Sequence, residues 1–547
     1  MHIAVLETQS NQPYIFASNR QAAALGASQL LLESCTDWVL EACEKKSDKP
    51  LTSIDARRDL LARENLTPDS NGEIDGVSVV VATSGRAVLL SSHRRSLESV
   101  VSSVTLRCLH EAPGMGLTAG IHEFEWNDAG VVSSHSVAPV WQAMREASRR
   151  AKANWMATTR PDSRFARMPM FRDCDISGYP ANFLANTPDG GIEFRGAIVH
   201  RQMGARDRAR RRIQSSLGEE TANKIATEID DLPDNSWHGV IHADSNGFGR
   251  LFGGLGKVLP TDNEACLRAY QEFSLGLELV TEQALTAAIR NSAENDGVYP
   301  IVFGGDDITL VVSGRTALGL TEKYLQEFAF QASGLLKRLK DNQLLPGQSV
   351  VRPGADLDLL PMNLSASAGV VFTKPGFPFS TAYDLADDLT SSAKSPYRGD
   401  ENRTPTSLVD FHVLYDSSDT SIESIRERRR GLVAGPYRAG PRSDEQDTTL
   451  ELSEVVREAG SESLRKNKPL LRDMRASIVK SNGKTDGARQ LLVSARNIGR
   501  VGAEAAAEIG QLIDPLRKPD EAMANSRIAD VLDLMEICGP TPRSEPS

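Results

Sequence analysis

Two adjacent carboxylates, Asp306 and Asp307, follow a glycine pair, Gly304 and Gly305, between two apolar runs. Glycine at the tip of a hairpin is what a tight turn needs, because positive φ costs it little. Neighbouring acidic residues in a turn are ordinary. The flanks change the reading. YPIVF (299–303) and ITLVVS (308–313) are as apolar as buried central strands. Two carboxylates at the tip of a buried hairpin are costly unless cations or solvent meet them. A divalent cation answers that cost. A third carboxylate, Asp244, ends the apolar run 238–244. On its own, Asp-Ser-Asn-Gly is turn or N-cap chemistry. Beside the hairpin, Asp244 completes an all-oxygen set suited to Mg2+ or Mn2+. Gly247, Gly249, Gly253, Gly254 and Gly256 come next. They read as a loop whose free N–H groups would approach phosphate, with Lys257 adding charge. Lys394 closes a helical pattern at 380–395 and is within reach of phosphates held by the cation. A lysine in a last helical turn also serves as a dipole partner.

The elements that must position these residues follow from hydrophobic periodicity. A strand at 238–244 leads to a helix at 262–292, the hairpin, a helix at 316–339 and a strand at 364–372, with 408–416 as an added edge strand. This is a β-α-β-β-α-β order. In that topology the first and third strands lie side by side, so Asp244 can face the hairpin turn. The same order opens the chain. A strand from His2 precedes a helix at 19–45, a polar stretch at 52–76 and a hairpin of 77–82 with 86–91 around Thr83-Ser84-Gly85. A helix at 94–111 and a strand at 117–126 complete it. The halves share an element order without a convincing residue-by-residue alignment. The expected fold class is α+β: two ferredoxin-like (βαββαβ) domains plus a helical C-terminal domain. The expected domains are 1–128, a mostly helical connector at 129–230, a second β-rich domain at 231–433, a linker at 434–448, a helical domain at 449–538 and a disordered tail at 539–547.

Composition sets outer limits. At 547 residues the chain holds about three or four domains. A net charge of −11 argues against a surface that coats nucleic acid throughout. A run of arginines at 201, 206, 208, 210, 211 and 212 leaves room for local RNA binding, or for a solvated helix face. Six scattered cysteines without a C-x-x-C pair suit a reducing cytoplasm. MHIAVLETQ lacks the basic start of a signal peptide. No apolar run approaches the length of a membrane span. The expected location is cytoplasmic, away from membranes.

HADSNGFGRLF, the later FGGDD and an A-K step at a helix end together resemble the palm of GGDEF-type nucleotide cyclases. The closer likeness is to the large polymerase-cyclase subunit of type III CRISPR effector complexes, whose palm carries GGDD. IAVLETQSNQPYIFASNRQAAALGASQLL resembles the opening of that family's first palm, with a G-A-S step at Gly26, and DFHVLYD resembles the strand after its second. The likeness spans roughly residues 1–420. It implies a metal-dependent nucleotidyltransferase or cyclase. That enzyme would convert ATP, or another nucleoside triphosphate, to a cyclic nucleotide or oligonucleotide messenger in antiviral defence, with release of pyrophosphate. It implies two ions of Mg2+ or Mn2+ on Asp244, Asp306 and Asp307, joined by the Ser245 carbonyl. Asn246 would meet ribose or base. Phe248 would pack on the nucleotide or in its own core. Gly247, Gly304 and Gly305 would line the nucleotide site, and Lys394, with Lys257, would neutralise triphosphate charge. RNA, CRISPR effector subunits or a second copy of the chain are the partners implied.

Three departures stand out. No HD dipeptide and no nuclease-sized segment precedes the first palm. FRDCDISGYPA keeps only Cys174 of the family's zinc knuckle, with Ile176 and Ser177 where a second cysteine is expected, so no zinc is expected. The first hairpin carries no acidic residue, so the first palm is expected to be non-catalytic. The alternative is a non-catalytic or nucleotide-sensing scaffold subunit of a guide-RNA complex. A diguanylate cyclase is disfavoured because Ile308 follows GGDD.

Overall fold

The structure, a computed structural model, describes residues 1–47, 49–126, 137–157, 170–187, 190–233, 236–293, 297–395, 406–415, 421–429, 432, 435–440, 449–513 and 526–538. The expected tail at 539–547 and most of the expected linker lie outside these residues. A first sheet holds β1 (His2–Gln9), β2 (Ser78–Thr83), β3 (Arg86–Ser91) and β4 (Gly116–Glu123) in the order β2-β3-β1-β4. β5 (Ala181–Asn186) and β6 (Ile192–Gly196) pair as a separate ribbon. A second sheet holds β7 (His238–Asn246), β8 (Val298–Gly304), β9 (Asp307–Ser313), β10 (Ser365–Thr373), β11 (Leu408–Val413) and β12 (Tyr437–Arg438), ordered β12-β11-β10-β7-β9-β8.

Each sheet contains the antiparallel ferredoxin-like set, with β1 or β7 beside the second strand of a hairpin. β7 has only one residue, Asp244, that is not buried. That burial explains its apolar run, since both faces are covered. The outermost strand of that hairpin, β8, carries Pro300 at a register shift, where a missing N–H disturbs no regular ladder. β11 runs parallel to β10, and β12 lies outside it. The strand expected at the sheet edge is therefore interior, and Tyr437 and Arg438, expected in a linker, belong to the sheet.

Other expectations shift in detail. The helix expected at 19–45 is two helices, Gln21–Cys35 and Asp37–Ala42. Thr36 divides them, its hydroxyl donating to the Leu32 carbonyl at 2.7 Å. The polar stretch at 52–76 contains the helix Ile54–Leu61, which buries Arg57 completely. The helix Pro139–Ala157, expected in the connector, lies across β1 and β4.

Two glycines set how closely helices sit on the sheets. A Cβ on Gly120 of β4 would come 2.0 Å from the Ala147 carbonyl of the helix Pro139–Ala157. A Cβ on Gly369 of β10 would come 2.0 Å from the Ala386 carbonyl of the helix Phe379–Lys394. Only glycine permits these approaches, and the second fixes the height at which Lys394 meets the strand end. Gly26 does the same between helices, since its Cβ would lie 1.7 Å from the Gln202 carbonyl of the helix Ala197–Leu217. The C-terminal helices tie back to the second sheet through the buried helix Ile528–Ile537. Asp533 on that helix pairs with Arg429 at 2.6 Å, and Asp530 accepts a hydrogen bond from the Tyr437 hydroxyl. Among the described residues, no helix is long and apolar enough to cross a membrane.

Candidate metal centre

The hairpin of β8 and β9 closes in two residues, Gly305 and Asp306, with Gly304 opposite Asp307. Gly305 has φ 73°, so the turn needs the residue the sequence supplies. The last pairs between β7 and β9 are His242 with Thr309 and Ala243 with Ile308. One step further, Asp244 stands beside Asp307. One carboxylate oxygen from each of Asp244, Asp306 and Asp307 lies within 4.8 Å of the others, and all three residues are half-buried. Two carboxylates at that spacing repel by roughly 3 kcal/mol at an effective dielectric near 20. The cluster is an electrostatic expense that a bound cation would relieve, and its hard-oxygen donors could hold a metal ion.

The protonation pattern follows from this crowding. Burial, then the charges of Asp306 and Asp244, push Asp307 well above the ordinary carboxylate value. Burial and the charge of Asp244 push Asp306 up, opposed by the Ser245 hydroxyl, which donates to Asp306 Oδ2 at 2.8 Å. Burial would raise Asp244 too, but a hydrogen bond with Asp307 and the charge of Lys394 outweigh it and hold Asp244 low. Lys394 Nζ donates to Asp244 Oδ2 and, at 2.9 Å, to the Ser245 carbonyl.

The remaining expected site residues are placed less uniformly. Gly247 is left-handed, with φ 82°, and caps the helix Phe248–Val258. The glycine-rich loop is thus a helix, a correction with a packing cause. A Cβ on Gly254 would come 2.3 Å from the Leu359 carbonyl, and one on Gly256 would come 2.0 Å from Trp141 Nε1. Only the first turn, next to Asp244, keeps amides free of helical partners, with the positive end of the helix dipole. Lys257, expected at the triphosphate, stands exposed in the last turn, about 15 Å along the axis at 1.5 Å per residue. Phe248 is half-buried and meets Phe252 edge-on at 6.1 Å. Asn246 is buried and donates to Ser365 Oγ at 2.9 Å and Ser367 Oγ at 3.0 Å, while its Oδ1 has no partner among the described residues.

Sequence reasoning missed the groups that hold the hairpin from behind. Arg212 donates to the Phe303 carbonyl at 2.8 Å and to Gln29 Oε1 at 2.8 Å. Thr281 Oγ1 donates to the Gly305 carbonyl at 2.8 Å. The buried His242 lies 3.1 Å from Thr309 Oγ1 and 3.5 Å from Asp387. Tyr324 lies buried, with its hydroxyl unpaired among the described residues. The arginine run is largely internal. Arg201 pairs with Glu111 at 3.3 Å, Arg208 with Glu33 at 2.8 Å, and Arg206 and Arg210 with Glu228. The sequence signal was there, because arginines spaced along a helix beside scattered glutamates fit pairing as well as RNA. Cys174 is buried near the β5–β6 ribbon and accepts from the Ser177 amide at 3.5 Å.

No family model matches the chain, and no curated protein matches it. Solved structures do. The crystal structure of a Csm1–Csm4 cassette in complex with pppApApA matches with a TM-score of 0.52 and 10% identity, covering 98% of this chain and 69% of that one. The Csm1–Csm4 subcomplex in the type III-A CRISPR-Csm interference complex matches at 0.50 and 10%, with the same coverage. Csm1 in T. onnurineus matches at 0.50 and 11%, again with 98% and 69% covered. The chain therefore has the two-sheet, helix-tailed fold of a type III CRISPR large subunit. Its particular likeness is to Csm1, and at this identity the likeness is one of architecture.

Proposed function

We propose that this chain is a metal-dependent nucleotidyltransferase that joins nucleoside triphosphates, ATP first, into a cyclic nucleotide or oligonucleotide, releasing pyrophosphate, as part of CRISPR-type defence. The observation that carries this reading is the convergence of Asp244, Asp306 and Asp307 at two neighbouring strand ends. The cassette that shares the fold and is complexed with pppApApA supports an adenylate as the substrate. Two Mg2+ or Mn2+ ions would lower the pKa of an attacking ribose hydroxyl and steady the leaving oxygens.

The chain's own groups supply the rest. Asp244, Asp306 and Asp307 would hold the cations, with the Ser245 carbonyl as a further ligand. Ser245 Oγ orients Asp306 by its hydrogen bond. The first turn of the helix after Gly247 offers unpaired N–H groups to phosphate, and Gly304 and Gly305 leave the hairpin tip without side-chain bulk. Lys394 takes up triphosphate charge. Phe248 flanks the nucleotide from the same helix start. Asn246, buried, holds β7 to β10 through Ser365 and Ser367 and so fixes the strand end that carries Asp244 and Ser245.

Incubation of the full chain with ATP and Mn2+, followed by mass spectrometry, tests the reading. The expected result is pyrophosphate with a linear or cyclic adenylate. An absence of both with every nucleoside triphosphate, with a target RNA complex supplied, would favour the scaffold reading instead.

A further inference from the structure

We propose that Lys394 is a built-in cation that holds the metal-binding oxygens until a triphosphate draws it away, so that metal and nucleotide enter together. The inference rests on the nucleotidyltransferase reading and deepens it. Lys394 Nζ bonds Asp244 Oδ2 and the Ser245 carbonyl. These are two of the oxygens that the end of β7 offers to a metal ion, and an ion that takes either must draw the ammonium off it.

The lysine is delivered to that position by the fold. Its helix is seated on β10 at Gly369, and one turn earlier Thr390 Oγ1 donates to the His242 carbonyl of β7 at 3.0 Å. The Lys394 side chain is 19% exposed, so this is a partly desolvated contact and not a loose surface pair. Yet it ends a helix, one residue before the C-cap, on a flexible four-carbon stem that can swing to phosphate.

The first sheet carries the same device in a fixed form. Its strand-end carboxylate, Glu7, pairs with Arg86 at 2.7 Å and accepts from Ser148 Oγ at 2.6 Å. There the cation belongs to the adjacent strand, and among the described residues no carboxylate pair forms a metal-binding cluster with Glu7. In the second sheet, Asp306 and Asp307 form such a cluster with Asp244 and invite replacement of the lysine.

The test measures free Mn2+ by electron paramagnetic resonance, using the full chain with and without a non-hydrolysable ATP analogue. Lys394→Ala and the stem-preserving Lys394→Met are compared with the wild type. Without nucleotide, both variants should bind Mn2+ about tenfold more tightly. The analogue should raise Mn2+ affinity more in the wild type than in either variant. Unchanged or weaker Mn2+ binding in a folded variant, or no Mn2+ binding by any of the three proteins, overturns the proposal. If the variants gain Mn2+ affinity while the wild type makes no product from ATP, the exchange stands and the transferase reading falls. Product without any change in Mn2+ affinity has the opposite meaning.

Discussion

The two sheets can be compared residue by residue once strand register replaces sequence similarity. β1 pairs with β3 as β7 pairs with β9, and the hairpins close at the same step, which sets Glu7 against Asp244, Arg86 against Asp307, and Thr83-Ser84-Gly85 against Gly304-Gly305-Asp306. Ser10 and Gly247, three residues beyond the carboxylates, are both left-handed helix caps, with φ 55° and 82°. Gly120 and Gly369 seat equivalent helices, which sets Trp155 against Lys394. Even the support behind the hairpins repeats. Arg57 donates to the Ala82 carbonyl at 2.6 Å, and Arg212 donates to the matching Phe303 carbonyl at 2.8 Å. The scaffold was kept and the charges were exchanged. An arginine in place of Asp307 and a glycine in place of Asp306 turn a repelling acidic cluster into a closed ion pair. The hairpins also touch, since a Cβ on Gly304 would come 3.3 Å from Ser84 Oγ. The first sheet thus walls the site of the second.

The sharpest break of this comparison is at the paired carboxylates. Asp307→Asn should lower nucleotide turnover by about a thousandfold or more, a loss of roughly 4 kcal/mol of transition-state stabilisation. Its melting temperature should hold or rise, because a crowded charge is gone. Glu7→Gln should leave turnover within about threefold and lower stability by about 1 kcal/mol, because Arg86 loses its charged partner. Steady-state kinetics and thermal melts read both. Comparable turnover losses in the two variants would mean that the first sheet takes part in the chemistry.

The arginines behind the hairpins divide next. Arg57 is wholly buried in a two-pronged pair with Glu278, 2.9 Å at each prong, so Arg57→Met strands a buried carboxylate. That should cost about 3–5 kcal/mol in a denaturant titration. Arg212 has the neutral Gln29 and a carbonyl as its partners, and burial lowers its pKa to about 10. Arg212→Met should cost less stability but let the Phe303–Asp306 turn drift. The expected result is kcat down by about tenfold to a hundredfold with KM nearly unchanged, since a small misplacement of catalytic groups is felt in the chemical step. A loss confined to stability would make Arg212 a brace and no more.

How much of this was legible differs between levels. Apolar runs announced the strands, and GGDD between two of them announced the acidic site. The pairing of Asp244 with the hairpin followed from topology. The glycines after Asp244 misled, because glycine serves both loops and close helix packing, and only the contacts of Gly254 and Gly256 decide which. The arginine run was ambiguous for a related reason. A helix carrying many cations pairs internally when acids such as Glu33 and Glu228 come from segments far away in sequence. The repeated element order was legible, but the residue-by-residue match was hidden because a strand register conserves geometry, and Glu7 with Arg86 shares no letter with Asp244 and Asp307. Thr36, dividing two helices by one hydroxyl, lies below the resolution of periodicity.

The smallest expected effect concerns pH, and it separates the two sheets cleanly. Burial and its two acidic neighbours raise Asp307 well above the ordinary carboxylate value in the folded chain. An unfolded chain gives up that proton near the ordinary value. Between those two values the folded state binds the extra proton, so stability falls as pH rises through the window. A metal ion needs the same carboxylate ionised and competes with the proton. Mn2+ affinity should therefore rise with pH across that window, by up to about tenfold per pH unit for one displaced proton, while added Mn2+ flattens the fall in stability. Asp307→Asn should make both slopes shallower and leave the part that the raised Asp306 carries. Glu7→Gln in the first sheet should leave both in place, because that strand end pairs with Arg86 and takes no part in the acidic cluster. Calorimetric titration of Mn2+ at several pH values, in buffers of different ionisation enthalpy, counts the proton released. A wild type that releases none would mean that the triad is already fully ionised, and that Lys394 alone carries its compensation.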